Sequence, residues 1–259
     1  MKIIGLLSWY DEAPQWLSTA ITGFARVCDQ IVAVDGAFAL YPGARPTSHP
    51  LQAEAVLSTA ESAGVALTLH RPNALFWGNE VEKRNLTVKL ASAVAAEGDW
   101  LIVFDADCHV FKCDPEVVRW ELENTKADIG TYTYLEVEDF FSDPEMARIV
   151  KSDDYSTEHT HPTKDVYRWH PSLLYGPQHW TVSREYTKAD GSVERRWLRH
   201  TRKGPERQVD LGAHLVIYHR SRDRAMIRQE AKDEYYRARD LHGVENMVAG
   251  DPHRNGVGV

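Results

Sequence analysis

The feature that most constrains this chain is a regular alternation of short apolar runs and longer amphipathic segments over residues 1–110. Short apolar runs suit buried strands, whereas the longer segments carry apolar side chains at helical spacing, as in the helix predicted to begin near Pro14. The predicted strands cover residues 2–8, 30–34, 65–69 and 100–104, and two further helices cover residues 51–63 and 80–96. This alternation predicts an α/β fold with a mostly parallel sheet and helices on both faces.

Polar residues follow the ends of the predicted strands. The carboxyl ends of parallel strands meet at one edge of the sheet, and ligands bind there where the strand order changes direction. We therefore expect residues 9–12, Asp35, Arg71 and residues 105–107 to lie close together. The pattern locates a candidate site before it identifies its chemistry.

Asp105 and Asp107 provide the most specific chemistry at that edge. They follow the most hydrophobic predicted strand, and two carboxylates at positions i and i+2 can both turn toward one hard cation. Mg²⁺ or Mn²⁺ held in this way neutralises charge that develops on a leaving diphosphate. An Asp-x-Asp pair is common, and an ordinary solvated turn is the alternative. Its position at the end of the fourth strand favours the metal site.

Three segments, in this order along the chain, resemble family 2-type glycosyltransferases with a GT-A fold, of the bacterial or phage-encoded type. They are LLSWYDEAPQWL at 6–17, EKRN at 82–85 and GDWLIVFDAD at 98–107. The chain departs from the family at residues 10–12, where Tyr-Asp-Glu replaces the usual Asn-Glu-Glu. The resemblance implies a Rossmann-like, mostly parallel twisted sheet with a more irregular C-terminal half on the acceptor side. It also implies transfer of a sugar, in most cases a hexose, from a nucleotide sugar to a hydroxyl group.

The resemblance further implies roles for individual residues. Asp105 and Asp107 would hold the metal and the ribose. The other residues implied to bind the donor are Ser8, Trp9 and Glu12 around the base and ribose, Asp35 at the base or ribose, and Lys83 and Arg84 at the diphosphate or sugar. Structural roles are the alternatives for some of them. Trp9 would then be a core residue, Asp35 a turn residue, and the two cations part of a solvated helix face.

A late histidine often completes the metal site in enzymes of this kind. His219 ends the strand predicted at 213–218, and a neutral imidazole is a suitable ligand for Mn²⁺. Arg220 and Arg222 follow it and are suited to neutralise phosphate. A purely structural histidine is the alternative, and His214 is the second candidate for the ligand.

The sequence leaves the catalytic base and the stereochemistry open. An inverting transfer needs a carboxylate or imidazole that deprotonates the acceptor hydroxyl. Glu138 and Asp139 follow the strand predicted at 129–135 and are candidates, although a solvated acidic turn is an equal alternative. His179 and Asp210 are the other candidates.

Two aromatic runs, at residues 167–171 and 175–180, are similar to an acceptor-side stretch of related transferases. Trp180 stands where those enzymes usually have Glu. Stacking on a sugar and hydrophobic packing of a hairpin are both open interpretations.

The organisation along the chain follows from these assignments. Residues 1–110 are interpreted as the nucleotide-sugar-binding half, residues 111–245 as the acceptor-side and metal-completing half of the same domain, and residues 246–259 as a loose tail. Within the second half, Asp190-Gly191 predicts a hairpin turn, residues 151–165 a polar loop, and residues 220–240 a charged helix.

Charge and cysteine usage narrow the classes of partner and compartment. A formal net charge of −8 argues against nucleic-acid binding through a basic surface. The odd number of cysteines favours a reducing compartment over a disulfide framework. No segment has the length and hydrophobicity of a membrane span, so the expected location is the cytoplasm.

Three other functions compete with glycosyl transfer. A nucleotidyltransferase would carry a glycine-rich basic loop after the first strand, whereas this loop is acidic. A non-catalytic module that binds nucleotide sugars is a second alternative. A metal hydrolase lacks support because no H-E-x-x-H spacing occurs. A UDP-sugar is the donor expected from family frequency, and the acceptor, a small molecule, glycan or protein, is open.

Overall fold

The computed structural model describes residues 1–76, 80–135, 160–176, 182–198, 208–219 and 226–242 of the 259-residue chain. In its first part, strands and helices alternate as predicted. They are β1 (Ile3–Ser8), α1 (Pro14–Phe24), β2 (Gln30–Val34), α2 (Pro50–Ser62), β3 (Ala66–His70), α3 (Glu80–Ala91) and β4 (Trp100–Asp105).

The remaining described elements are richer in strands. They are β5 (Cys108–Cys113), α4 (Pro115–Asn124), β6 (Ile129–Leu135), β7 (Thr160–Arg168), β8 (Leu174–Tyr175), β9 (Val182–Thr187), β10 (Val193–Trp197), β11 (Gln208–Asp210), β12 (Leu215–His219) and α5 (Met226–His242). The predicted hairpin is confirmed because β9 and β10 pair antiparallel around the Asp190-Gly191 turn.

One large sheet organises these elements, in the order β3-β2-β1-β4-β7-β6-β12-β5 with β11 beside β6. β1 runs parallel to both β2 and β4, and β2 runs parallel to β3. From β1 the chain builds outward in one direction through β2 and β3, and β4 then lies on the other side of β1. The strand order therefore reverses between β1 and β4, which is where such sheets bind ligands. The predicted Rossmann-like α/β fold is confirmed.

Helices cover both faces of this sheet. α1, α2 and α4 pack their apolar residues on the face that includes Ile3 and Leu7. α3 covers the opposite face, which includes Ile4 and Leu6, together with the small sheet of β8, β9 and β10. Alternate residues of β1 therefore point to opposite layers, as the pleat of a strand requires.

The prediction of a polar loop at residues 151–165 is wrong for its last part, because residues 160–168 form β7. β7 lies between β4 and β6 and pairs antiparallel with both. Its sequence, THPTKDVYR, lacks the apolar alternation that marks a strand, and two flanking strands supply its backbone hydrogen bonds instead. α3 also ends at Ala91, earlier than predicted, and β5 and α4 were not predicted at all.

The three cysteines are free and buried, and no helix within the described ranges is long and apolar enough to cross a membrane.

Candidate active site

The ends of β1, β2 and β4 meet at one edge of the large sheet. Ser8 lies opposite Val34 of β2 on one side and opposite Asp105 of β4 on the other. The segments that follow these strands, together with α3 and α5, surround a cavity of about 220 Å³. Its lining residues are Ser8, Trp9, Tyr10, Glu12, Phe38, Tyr41, Glu80, Lys83, Arg84, Asp105, Ala106, Asp107, Lys232, Tyr235 and Tyr236.

Asp105 and Asp107 form the acidic end of this cavity. Asp105 is the last residue of β4, and Asp107 lies in the tight turn before β5. The Asp105 side chain is 37% exposed and Asp107 is 1% exposed. Arg84 donates from Nη2 to both carboxylate oxygens of Asp105, at 3.1 Å each, and the Asp105 backbone N–H lies 3.4 Å from the Cys108 sulfur. These contacts fix the orientation of the turn.

The two carboxylates suit a hard divalent cation. Oxygen ligands are the ones that Mg²⁺ and Mn²⁺ prefer, and Mg²⁺ usually binds through one or two carboxylates, with phosphate oxygens and water filling the other positions. No cluster of three or more potential ligand side chains occurs within the described part of the chain. Asp105 and Asp107 could hold such an ion only with further ligands, which water or a bound molecule can supply.

The two candidate histidines lie at opposite ends of β12. The backbone of His219 is paired with Cys108, which directly follows Asp107. The His219 side chain lies outside the described part, so its role as a metal ligand stays a prediction. His214 precedes the other end of β12, and its Nδ1 lies 3.1 Å from an oxygen of Asp114. This separation removes His214 from the neighbourhood of the acidic turn.

Lys83 connects the ends of β1 and β2. It is 2% exposed, and its ammonium group donates to the carbonyl oxygen of Trp9 and, at 2.8 Å, to that of Gly36. The Nζ atom lies 5.6 Å from the centre of the Phe38 ring. Burial lowers the pKa of Lys83 to about 7, although nearby carboxylates act in the opposite direction. Lys83 is therefore not part of a solvated helix face, which was the structural alternative for it.

Asp35 supports the site from behind the cavity wall. It is fully buried and accepts hydrogen bonds from the Ser48 hydroxyl at 2.6 Å, the Ser48 backbone N–H and the Arg71 guanidinium. The Ser48 oxygen in turn accepts from the backbone N–H of Asp11 at 2.8 Å. Asp35 thus shapes the loop after β1 and is not among the lining residues. Its predicted contact with a base or ribose stays a prediction.

The loop after β1 carries three of the predicted donor-binding residues. Ser8 and Glu12 line the cavity, and the Glu12 backbone N–H donates to the side-chain oxygen of Gln52 at 3.0 Å. Trp9 is 3% exposed and belongs to the main core, yet it also borders the cavity. Its Nε1 is buried without a hydrogen-bond partner among the described residues. The core and site interpretations of Trp9 are therefore compatible.

α5 contributes a wall that the sequence analysis missed. Lys232, Tyr235 and Tyr236 line the cavity, and the Tyr235 ring stacks on Phe38 with their centres 5.2 Å apart. The signal was present in the sequence, because residues at i, i+3 and i+4 share one face of a helix. It was overlooked because the helix as a whole is so strongly charged.

Comparison with known proteins adds only a distant likeness in fold. No protein-family model and no curated protein matches the chain. The solved structures that are similar in part include S. aureus TarS, at 14% identity over 53% of this chain with a TM-score of 0.39, and S. aureus TarS 1–349, at 15% identity over 65% with a TM-score of 0.38. The matched region spans only 22% and 47% of those chains. Similarity at this level carries no argument about function, which rests on the site itself.

Five of the predicted site residues are either outside the described part of the chain or away from the cavity. Glu138, Asp139, His179 and Arg220 lie outside the described residues, so their roles stay predictions. Asp210 is exposed on β11 and accepts hydrogen bonds from Thr131 and Gly212, away from the lining residues.

The aromatic residues with an expected acceptor-side role are buried where they are described. Tyr167, Trp169 and Tyr175 are between 1% and 8% exposed and belong to the core on the α3 face. Asn85 of α3 also exchanges two hydrogen bonds with the backbone of Tyr175. Hydrophobic packing is thus their observed role.

Proposed function

We propose that this chain is a metal-dependent glycosyltransferase that moves a sugar from a nucleoside-diphosphate sugar to a hydroxyl acceptor. The proposed sugar is a hexosyl group. The observation that carries this proposal is the position of Asp105 and Asp107. They stand on the wall of a cavity at the point where the strand order reverses, beside the guanidinium of Arg84. A diphosphate, with its metal ion, is the ligand chemistry that such an arrangement suits.

Each charged group at the acidic end has a distinct part in the proposal. Asp105 and Asp107 would hold Mg²⁺ or Mn²⁺, and the ion would neutralise charge on the departing diphosphate. Arg84 is suited to bind a phosphate oxygen, because a guanidinium forms strong charge-assisted hydrogen bonds. Its Nε is buried and has no hydrogen-bond partner among the described residues. The contact with Asp105 keeps this guanidinium at the cavity.

Lys83 acts on the site mainly through the backbone. Its ammonium group is occupied by the carbonyl oxygens of Trp9 and Gly36, so it holds the loops after β1 and β2 at a fixed distance. Gly36 has a φ of +126°, and an added Cβ would lie 2.7 Å from both Phe76 and Pro72. We infer that this clamp keeps the donor pocket formed before the ligand arrives.

The loop after β1 favours transfer over synthesis of a sugar nucleotide. It carries Asp11 and Glu12 and no glycine, whereas a nucleotidyltransferase needs a glycine-rich, basic phosphate loop at this position. For the acceptor hydroxyl we retain Glu138, Asp139 and His179 as the proposed sources of the base. His219 and Arg220 complete the proposed metal and phosphate contacts.

The decisive test is titration calorimetry with UDP, GDP, CDP, ADP and TDP, each with and without Mn²⁺. We expect one of these nucleoside diphosphates to bind, and to bind only when Mn²⁺ is present. UDP is the one that we expect. Asp107→Asn should weaken that binding by more than about 100-fold, because loss of a ligand exceeds the second-shell effect of roughly 10–100-fold. The matched control is Glu54→Gln, which neutralises an exposed carboxylate on α2 and should bind like the parent.

The outcomes separate the competing functions. Metal-dependent binding followed by slow hydrolysis of the matching nucleotide sugar supports a transferase. Binding without any turnover of the sugar indicates a non-catalytic module. Equal affinity of Asp107→Asn and the parent contradicts the proposed site.

A further inference from the structure

The cavity has an aromatic end opposite its acidic end. The rings of Phe38 and Tyr41, which follow β2, face Tyr235 of α5 at 5.2 Å and 6.1 Å between ring centres. Tyr10 meets Tyr41 edge to face at 5.3 Å, and Tyr236 adjoins Tyr235 at 5.4 Å. Five aromatic side chains from three separate segments thus form one continuous surface.

The sheet sets the distance between the two ends. Phe38 follows β2, Asp105 ends β4, and β1 lies between these strands. Neighbouring strands are about 4.8 Å apart, so the two ends are separated by roughly 10 Å at the sheet edge. A nucleoside diphosphate has a flat base at one end and two phosphates at the other, joined by a ribose. Its chemical polarity therefore matches the polarity of the cavity.

The two tyrosines of α5 differ in what they can do. Tyr235 is 2% exposed because it is held between Phe38 and Tyr41, and it attaches the helix to the sheet edge. Tyr236 is half-buried and lines the cavity, and the Lys232 ammonium lies 5.7 Å from the centre of its ring. Tyr236 is the ring on this helix that is better placed to meet a ligand.

We propose that α5 forms one side of the donor site and determines its selectivity for a nucleobase, with Tyr236 as the stacking surface, the Lys232 ammonium over the Tyr236 ring and Tyr235 as the anchor. This inference rests on the proposed function, because it assigns the base end of the same ligand. It adds to the site a segment that lies more than 200 residues after the first strand in the sequence. It also implies that the base contributes binding energy independently of the metal end.

Inorganic pyrophosphate separates the two ends experimentally, because it carries the phosphates without a base. We expect Tyr236→Ala to weaken Mn²⁺-dependent binding of the nucleoside diphosphate by about 5- to 150-fold, which corresponds to the roughly 1–3 kcal/mol lost with one stacked base. Pyrophosphate affinity should be unchanged. Lys232→Met should show a smaller loss in the same direction. Glu234→Ala, on the exposed side of the same helix, is the matched control and should bind both ligands like the parent.

Two results would overturn the inference. One is an unchanged affinity of Tyr236→Ala for the nucleoside diphosphate. The other is an equal loss for pyrophosphate and nucleoside diphosphate, which would mean that α5 supports the whole cavity instead of contacting the base. Tyr236→Leu keeps the helix packed and repeats the test if far-ultraviolet circular dichroism shows a loss of helix in Tyr236→Ala. Failure of the parent to bind either ligand with Mn²⁺ would instead contradict the proposed function.

Discussion

Lys83 lies in an environment that its residue type does not suggest. A lysine on a helix is normally solvated, and this one is buried with two carbonyl oxygens as acceptors. Sequence could identify it as a basic residue near the site but not as a clamp between two strands. The acceptors belong to loops that only the sheet brings together.

The buried ammonium group should make stability depend on pH. The pKa of Lys83 is about 7 in the folded protein and 10.5 for an unperturbed lysine, so between these values the unfolded chain binds more protons. The free energy of unfolding should therefore rise with pH in this window. Relative to Lys83→Met, the parent should gain about 2 kcal/mol between pH 7 and pH 9, since one pKa unit corresponds to about 1.4 kcal/mol.

Urea unfolding at both pH values measures this difference. Lys89→Met removes an exposed lysine from the same helix and should show no such change. A constant difference between the parent and Lys83→Met would mean that the ammonium group is not buried as described.

The hydrogen-bond partners of Asp35 could not be predicted from the sequence either. Its place at the end of β2 was predicted, and its neighbourhood was predicted from the parallel sheet. Its partners, Ser48 and Arg71, come from two different loops, and no sequence periodicity connects them to it.

At the scale of elements, β7 joins the parallel part of the sheet to the C-terminal strands. Gly130 of β6 faces Val166 of β7, and a Cβ at Gly130 would lie 3.0 Å from the Cβ and Cγ1 atoms of that valine. The close approach coincides with an irregular register in β6 after Gly130. A side chain at this position would therefore force Val166 or one of the two strands to shift.

A double-mutant cycle tests this contact. Gly130→Ala should lower the free energy of unfolding by about 1–3 kcal/mol because it overpacks the interface. Val166→Ala should cost about 2 kcal/mol through lost burial, at roughly 0.8 kcal/mol per methylene plus a cavity term. Since the smaller side chain makes room for the new methyl group, the double mutant should be more stable than the sum predicts, by about 1 kcal/mol. Additive costs would contradict the described contact.

At the scale of the whole molecule, the main core draws on elements from both halves of the chain. Cys28, Cys108 and Cys113 all belong to it, together with residues of β1, α1 and β12. Burial raises the pKa of each thiol, and that of Cys113 to about 11. All three should therefore be unreactive until the core opens.

Reaction with an aromatic disulfide reagent across a urea gradient measures this protection. We expect the three thiols to become reactive together, at the midpoint of the change in circular dichroism, because all three belong to the same core cluster. A thiol that reacts before that midpoint would show that part of the core opens separately.

The sequence by itself determined the α/β class, the elements from β1 to β4 and the edge at which the polar residues collect. These follow from local periodicity and from the rule that parallel strands end together. The same strand pattern placed Asp105 and Asp107 at that edge, and their position there agrees with it. The resemblance implied only their roles at the metal and the ribose. The approximate positions of β6, the β9–β10 hairpin, β12 and α5 were also predictable, because each has a local pattern.

Only the tertiary structure decided which residues share the cavity and which stand behind it. β7 is a strand because β4 and β6 supply its backbone hydrogen bonds. α5 lines the cavity because Tyr235 packs against Phe38. Asp35 is not among the residues that line the cavity, and its carboxylate is bonded to Ser48 and Arg71 instead. Periodicity describes contacts within one element, whereas each of these outcomes depends on atoms that are distant along the chain and meet only when the sheet has formed.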